Sequence, residues 1–442
     1  MNDFIAHRMM LLRMGKICLI PVVMVSSLLL LACGSSPKDY SDATPLREIN
    51  TSVPVKVLWA KPTGDVPEYA HAQLPVVIDT DTADATKDKK IYTASRRGNV
   101  AAHATKNGDV LWQVGMGEAL TGGPGVGESL LFVGTREAEL VALDKNNGVE
   151  RWRQRISSEM LATPVIAGDL LVVQTIDGRI SVYKTATGKK LWSYERSIPK
   201  LTLRGTSMPL VVNETVLAGF SDGRLLSLSL ATGELLWETT IAVPHGRTDL
   251  ERLVDIDGLF RAADGVVYVS SYQGRVVAVS IADGNVLWAR DMSAYTGLTV
   301  SGEQIFITDA TSRVWALDGR TGATLWRQDS LLGREVSVPV MLGNTLVVAD
   351  YDGFVHWLSR DDGDFVARKN LDKVWSTMRY VWDSDESAEK VYRSVSVSPL
   401  VAAGTLYVRD NTGALAAFTI IKKAMTKKAI TKKAAAKQII AE

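Results

Sequence analysis

Residues 162–192 read ATPVIAGDLLVVQTIDGRISVYKTATGKKLW. The stretch contains two apolar runs, then an alternating run after Asp177-Gly178, then a Thr-Gly turn followed by Leu191-Trp192. Asn-Gly, Asp-Gly and Thr-Gly pairs suit the tight turns of antiparallel hairpins, because glycine tolerates a positive φ angle. The stretch therefore predicts four short antiparallel strands joined by tight turns.

The same unit recurs along the chain. An alternating strand after a glycine turn occurs eight times, and the first and seventh copies are 255 residues, or six repeats, apart (positions 98, 138, 178, 223, 274, 312, 353 and 413). The turn followed by Trp recurs between these copies and has a degenerate form at Ala367 (Trp112, Trp152, Trp192, Trp237, Trp288 and Trp326). Four-stranded repeats of about 40 to 50 residues are typical of β-propellers. We predict an all-β fold, an eight-bladed β-propeller of four-stranded antiparallel blades.

The last repeat lacks an outer strand, because nothing like the turn and Trp follows Phe418. The missing sequence stands at the other end of the chain, where VKVLW at Val55–Trp59 matches the outer-strand pattern. Pairing of this strand with the last repeat would leave neither end of the ring as an open edge. We therefore predict a propeller over residues 55–419 that is closed by an N-terminal strand, with the repeated Trp side chains packed between blades.

A leader precedes the repeats. Arg8, Arg13 and Lys16 stand before a 16-residue apolar run, Ile17–Ala32. A membrane-spanning helix needs about 20 apolar residues, so a shorter run after basic residues is typical of a secretory signal. The run ends in Leu-Leu-Ala-Cys-Gly, which resembles the bacterial lipobox, and this implies a signal peptide over residues 1–32 and lipidation of Cys33. An ordinary signal peptide with an incidental cysteine is the alternative.

Both flanks of the repeats have a biased composition. Gly34 follows the cysteine where lipoproteins kept at the inner membrane have Asp, so the lipobox resemblance implies a lipid anchor at the periplasmic face of the outer membrane. Residues 33–54, rich in Ser, Pro, Asp and Thr, are interpreted as the lipidated Cys and a flexible tether. Residues 420–442 hold seven lysines and one acidic residue and are interpreted as a Lys-rich, solvated tail. Cys18 would leave with the leader, so we expect no internal disulfide.

Composition and residue spacing argue against several classes of function. Fifty Lys and Arg balance 49 Asp and Glu, so no basic field predicts nucleic-acid binding. The histidines after the leader lie in different repeats without ligand spacing, so we expect neither a metal site nor a catalytic triad (His71, His103, His245 and His356). GGPGVG at residues 122–127 has no following helix or Lys and is interpreted as a turn, not a phosphate loop. We predict no catalytic residues, no cofactor and no metal.

Two long connections indicate where a partner would bind. Residues 195–205 and 240–258 lengthen two successive outer-to-inner connections, which a four-stranded meander places on one side of the ring. Loops on a rigid scaffold are common binding sites. Apolar anchors beside directional charges are typical of interface centres. The candidate partner-binding residues are Leu201, Leu203, Arg204, Asp255 and Asp257. The alternative is that both leucines pack inward and Arg204 forms an internal salt bridge with one of the aspartates.

The chain resembles the BamB family, the propeller lipoproteins of the outer-membrane β-barrel assembly (BAM) complex. The resemblance covers the lipobox, the tether and all eight repeats, and it is most specific in SIPKLTLRG (197–205), ERLVDID (251–257) and DGFVHWLSRDDGDFVA (352–367). It departs from the family in a longer connection at 368–396 and in the Lys-rich tail.

The resemblance implies a function and a set of partners. It implies that the five candidate residues dock on a periplasmic POTRA domain of BamA, the barrel subunit, and through it join the other BAM subunits. The chain would be monomeric within that complex and would support barrel assembly and insertion as a scaffold without chemistry. Direct contact with unfolded outer-membrane protein clients stays open.

Two other functions remain alternatives. The TGKKLW repeat also resembles the blade motif of quinoprotein alcohol dehydrogenases, which are eight-bladed and periplasmic. That family holds pyrroloquinoline quinone beside calcium and a ring of adjacent cysteines, whereas the only cysteine expected after processing is Cys33. This favours the fold without the site. A carbohydrate-binding propeller is the second alternative.

Overall fold

The structure, a computed structural model, describes residues 43–63, 74–79, 89–199, 201–202, 207–379 and 394–421. Across these residues the chain forms eight four-stranded antiparallel sheets. Each sheet is one repeat, so the predicted eight-bladed propeller is confirmed. The predicted signal peptide, Cys33, His71, the tail beyond residue 421 and most of the long connection lie outside the described residues.

The strands are short and follow the repeat. Blades 1 to 4 contain β2 Val77–Ile78, β3 Lys90–Ala94, β4 Asn99–Ala104, β5 Val110–Gly115, β6 Leu120–Val126, β7 Leu130–Thr135, β8 Glu139–Asp144, β9 Glu150–Arg155, β10 Val165–Ala167, β11 Leu170–Thr175, β12 Arg179–Lys184, β13 Lys190–Glu195, β14 Leu210–Val212, β15 Thr215–Gly219, β16 Arg224–Ser229 and β17 Leu235–Thr240. Blades 5 to 8 contain β18 Arg261–Ala263, β19 Val266–Ser270, β20 Arg275–Ser280, β21 Val286–Asp291, β22 Leu298–Ser301, β23 Gln304–Thr308, β24 Val314–Asp318, β25 Thr324–Gln328, β26 Val340–Leu342, β27 Thr345–Ala349, β28 Phe354–Ser359, β29 Phe365–Asn370, β30 Leu400–Ala402, β31 Thr405–Arg409, β32 Ala414–Ile420 and, from the N-terminus, β1 Val55–Pro62.

The N-terminal strand closes the ring. β1 pairs antiparallel with β32, from Val55 opposite Ile420 to Pro62 opposite Ala414, and the eighth sheet has the order β1-β32-β31-β30. Trp59 is buried and packs against Tyr407 of the same sheet. The predicted closure is therefore confirmed.

The repeated Trp side chains join neighbouring blades. Each indole Nε1 donates a hydrogen bond of 2.8–3.1 Å to a backbone carbonyl of the next blade. Each ring also covers the glycine of the next blade's outer hairpin, where an added Cβ would lie 2.5–2.8 Å from the ring (Trp59 on Gly108, Trp112 on Gly148, Trp152 on Gly188, Trp192 on Gly233, Trp237 on Gly284, Trp288 on Gly322 and Trp326 on Gly363). The glycines of the turn motif thus serve both the turn and the neighbouring indole.

Ala367 stands in blade 7 where the other outer strands have the repeated Trp. Blade 7 packs on blade 8, which lacks the outer hairpin turn with its glycine. In blade 8 the outer strand is β1, so no hairpin loop joins it to β32. Ala367 is buried, and Trp357 fills this interface by an edge contact with Phe418 at 5.8 Å. The Trp is absent where the glycine turn on which it would pack is absent.

Bulges interrupt the outer strands. In β21, Trp288 pairs with Ala278 of β20 and Val286 pairs with the next residue, Val279, so Leu287 has no partner in β20. The side chain of Leu287 is 54% exposed. The residue before the repeated Trp is also bulged and exposed in other outer strands (Leu58, Leu111, Leu191, Leu236 and Leu325). Bulges on edge strands hinder pairing with other chains.

The last part of the predicted tether is docked on the propeller. The backbone amides of Ser52 and Val53 both donate to the Val366 carbonyl, at 2.9 and 3.1 Å. Leu46 packs against a buried cluster that includes Leu331. Residues 43–54 therefore differ from the flexible tether that composition predicted, because β29 offers its unpaired outer edge to their backbone.

A buried polar network lies beneath this segment. Asp350 accepts hydrogen bonds from Arg334 Nε at 2.7 Å and from His356 Nε2 at 3.0 Å. Arg368 Nε donates to His356 Nδ1 and its Nη1 donates to the Arg47 carbonyl. Burial lowers the pKa of His356, against the opposing effect of the bond to Asp350. The neutral imidazole therefore connects Asp350 to the arginine that holds the N-terminal segment.

Two further features differ from or refine the sequence interpretation. Residues 122–126 lie within the inner strand β6 rather than in a turn, and at Gly122 a Cβ would lie 2.3 Å from the Met160 carbonyl oxygen. The long connection begins with helix α1, Leu371–Arg379, whose Leu371 and Val374 are buried. Among the residues in the described ranges, no helix is long and apolar enough to span a membrane.

Candidate functional site

Two neighbouring connections form the candidate docking surface. One joins β13 to β14 (residues 196–209) and the other joins β17 to β18 (residues 241–260). Ile198 and Thr202 of the first connection line the same cavity as Ile256 and Asp257 of the second. The two insertions therefore meet, as the spacing of the repeats predicted.

The first connection is fixed at both ends. Arg196 donates from Nε to Asp222 at 2.7 Å and from Nη1 to Glu238 at 3.0 Å, both in blade 4. At the other end, Ser207 Oγ donates to the Gly219 carbonyl at 3.1 Å. Between these points Leu201 is 43% exposed. The connection presents an apolar side chain from a fixed base.

A short capped turn shapes the second connection. The Glu251 carboxylate accepts hydrogen bonds from the backbone amides of Arg247 and Thr248, and Thr248 Oγ1 accepts one from the Glu251 amide. This reciprocal pattern is a capping box. Val243 and Leu250, on either side of Arg247, are 63% and 65% exposed. Exposed aliphatic side chains on a turn whose backbone is held by local hydrogen bonds suit a contact with another protein.

The two candidate aspartates have different environments. Asp255 is fully buried, and its carbonyl accepts a hydrogen bond from the Tyr272 amide at 3.0 Å. Asp257 is partly exposed and lines the cavity. Burial, with a smaller contribution from the charge of Asp255, raises the pKa of Asp257 to about 8. Only Asp257 of the pair presents its side chain to the cavity.

The structure thus places three of the five predicted site residues. Leu201 is exposed, Asp257 lines the cavity and Asp255 is fully buried. Leu203 and Arg204 lie outside the described residues. Val243 and Leu250 were not among the site residues predicted from the sequence. Leu250 could have been found from the Thr-x-x-Glu capping pattern around it, whereas Val243 has only the following proline as a signal.

The raised pKa of Asp257 gives a testable pH dependence. The folded chain keeps this proton between pH 4 and 8 and the unfolded chain does not. The associated stability is therefore present below about pH 4 and is lost as pH rises through about 8. As the pH rises from 5 to 8.5, we expect the free energy of unfolding of Asp257→Asn to increase by on the order of 2–5 kcal/mol relative to that of wild type. Urea unfolding at both pH values measures this gain.

The control for this measurement is Asp249→Asn, which removes an exposed carboxylate from the same connection. Its stability should follow wild type at every pH. Parallel pH profiles for Asp257→Asn and wild type would show that Asp257 titrates normally.

No grouping suited to a metal occurs in the part of the chain that the structure describes, where no three His, Cys, Asp or Glu side chains converge. The histidines there are dispersed. His103 and His356 are buried in different blades, and His245 is exposed on the second connection.

Comparison with known proteins gives the family. A sequence profile described as "Outer membrane protein assembly factor BamB" matches residues 96–328 and 317–422. The chain belongs to the BamB family. The BamB of Alkalilimnicola ehrlichii is 40% identical over 348 residues, covering 78% of this chain and 88% of that protein. The BamB of Pseudomonas aeruginosa is 35% identical over 394 residues, covering 89% and 97%.

Comparison with solved structures distinguishes likeness to the family from likeness in fold alone. The crystal structure of BamB from Moraxella catarrhalis superposes with a TM-score of 0.70 at 25% identity, covering 83% of this chain and 99% of that one. A quinohemoprotein alcohol dehydrogenase from Comamonas testosteroni has a TM-score of 0.61 at 11% identity, covering 84% and 78%. The second likeness shows the propeller fold alone. The resemblance to the BamB family is confirmed.

Proposed function

We propose that this chain is a non-catalytic scaffold subunit of the outer-membrane β-barrel assembly machinery. Its candidate docking surface would bind the periplasmic POTRA region of the barrel subunit, BamA, and through it the other subunits. Membership of a family named for outer-membrane protein assembly supports this. The observation that carries the proposal is the surface itself: Leu201, Val243 and Leu250 are exposed on two adjoining connections of a rigid ring.

The predicted site residues take different roles in this proposal. Leu201 and Leu203 supply apolar anchors, and Arg204 supplies a multidentate donor. Asp257 meets the partner from the cavity. Asp255 acts indirectly: burial raises the pKa of Asp257, and the charge of the fully buried Asp255 adds to this effect.

The proposal includes the location and the arrangement of the chain. Lipidated Cys33 would anchor it at the periplasmic face of the outer membrane, after removal of residues 1–32. Because residues 43–54 are docked on the ring, only residues 34–42 of the predicted tether would separate the anchor from the ring. A link of nine residues spans at most about 30 Å, so the propeller would stay close to the membrane.

The test is a titration of purified protein with the purified POTRA region. Leu250→Ala and Leu203→Ala should each weaken binding by about tenfold or more through loss of an apolar anchor, with little dependence on salt. Arg204→Glu should weaken it by about thirtyfold and in a salt-dependent way, because a carboxylate replaces the cationic, multidentate donor.

Matched controls lie elsewhere on the ring. Leu287→Ala removes a comparably exposed leucine from the bulge of β21, and Arg320→Glu reverses an exposed charge in the hairpin turn after β24. Both should bind as wild type does. If Arg204→Glu lowers the melting temperature while its folded fraction binds normally, the residue braces the loop internally and the proposed docking surface is wrong.

A further inference from the structure

The cavity beneath the two connections is a formed pocket between blades 3 and 4. Its volume is about 160 Å³, and it opens between the connection that carries Leu201 and the one that carries Asp257. A cavity of roughly 150 Å³ accommodates a group the size of benzene. The pocket can therefore take one large side chain.

The polar groups of the pocket favour a donor. Gln174 is 4% exposed and lines the pocket; its Nε2 donates to the Gly219 carbonyl at 2.8 Å, which fixes Oε1 as the free end of the amide. Gln174 Oε1 is buried and accepts no hydrogen bond from the described part of the chain. Asp257 adds a carboxyl group to the same wall. A buried acceptor without a donor costs about 1–3 kcal/mol, which a bound donor would recover.

The remaining wall and the charges around it favour a cation with an apolar stem. The pocket is lined on its apolar side by Leu161, Ile176, Ile198, Phe220 and Ile256. Among the residues that the structure describes, no lysine or arginine lines it. Arg196, which lies over the Phe220 ring, is already paired with Asp222 and Glu238. Long basic side chains combine an apolar stem with a charged end.

We propose that this pocket binds an arginine side chain presented by the docking partner, with its stem against the apolar wall and its guanidinium between Asp257 and Gln174 Oε1. This inference rests on the proposed function and adds the chemistry of the partner residue. Arginine fits better than lysine, because a planar guanidinium can donate to a carboxylate and an amide oxygen at once, whereas an ammonium is a compact charge.

The direct test uses small probes and the full chain. At pH 9, where Asp257 is ionised, N-acetylarginine methylamide should bind wild type with a Kd in the millimolar range by NMR titration, and the neutral isostere N-acetylcitrulline methylamide should bind at least tenfold more weakly. Asp257→Asn should weaken binding of the arginine probe at least tenfold, and Gln174→Met about threefold. Asp249→Asn, on the same connection but outside the pocket, should bind as wild type does.

The outcomes separate the pocket from the docking surface. If both probes bind equally well, or if Asp257→Asn binds the arginine probe as wild type does, the inference is wrong. The pocket is then only a solvent-filled gap between blades. Thermal unfolding confirms that both pocket variants are folded.

A second arm uses the POTRA region. If wild type binds it and both pocket variants bind it equally well, the inference is wrong and the proposed function stands. If wild type binds the arginine probe but not the POTRA region, the proposed partner is wrong and the preference of the pocket for arginine stands.

Discussion

Replacing Val55–Pro62 by a glycine-serine segment of equal length is expected to lower the stability of the ring by at least about 5 kcal/mol, roughly 10 °C in Tm. The replacement removes the seven paired positions between β1 and β32. It also removes Trp59, which is 6% exposed and donates a hydrogen bond to the Thr105 carbonyl of blade 1. Truncation of a buried Trp alone costs about 3–5 kcal/mol.

The same replacement should change the association state of the protein. β32 would become an outer edge strand without the bulge that interrupts β1, and a regular exposed edge invites pairing with another chain. Calorimetry would measure the loss of stability, and light scattering would detect dimers that increase with concentration. An equal glycine-serine replacement of residues 34–41, which precede the described docking contacts, is the control. Equal melting temperatures for the two variants would contradict closure by β1.

The second large effect is expected at the contact between Trp152 and Gly188. Gly188 has a φ angle of +68°, and a Cβ there would lie 2.7 Å from the Trp152 ring. Gly168, in the same blade, has a φ angle of +60° and no atom within 4 Å of the corresponding point. Both substitutions to Ala incur the backbone strain of a positive φ, about 1 kcal/mol, and only Gly188→Ala adds about 1–3 kcal/mol of steric overlap.

The comparison isolates the packing between blades. Chemical unfolding of Gly168→Ala and Gly188→Ala gives the difference directly. Trp152→Ala should cost about 3–5 kcal/mol, since it also removes the 2.8 Å hydrogen bond to the Thr185 carbonyl. In the double variant Trp152→Ala with Gly188→Ala the steric term should vanish, which gives a coupling of about 1–3 kcal/mol. If Gly188→Ala costs no more than Gly168→Ala, the indole does not require the glycine.

The fold could be predicted because its signals are local and repeated. A Gly turn, an alternating strand and a Trp at fixed spacing define each blade, and eight copies define the ring. Even the closing strand was visible, since VKVLW at the N-terminus matched the one missing position. The site was only partly predictable: interval lengths located both connections, whereas the exposure of Val243 and the burial of Asp255 depend on the direction in which each side chain points.

The repeat, the number of blades, the closing strand and the family motifs could all be read from the chain, because each depends on short-range patterns that turn and strand geometry impose. Which groups meet across those patterns depends on how the chain packs in three dimensions. Residues 43–54 are docked because β29 has an unpaired edge, Ala367 replaces Trp because blade 8 has no outer hairpin turn, and Gln174 and Asp257 line one cavity because two blades adjoin there. Such contacts join residues far apart in the chain, 290 positions for Thr44 and Arg334 and 321 for Arg47 and Arg368. Local sequence patterns do not predict these contacts, because the residues come together only when the ring closes.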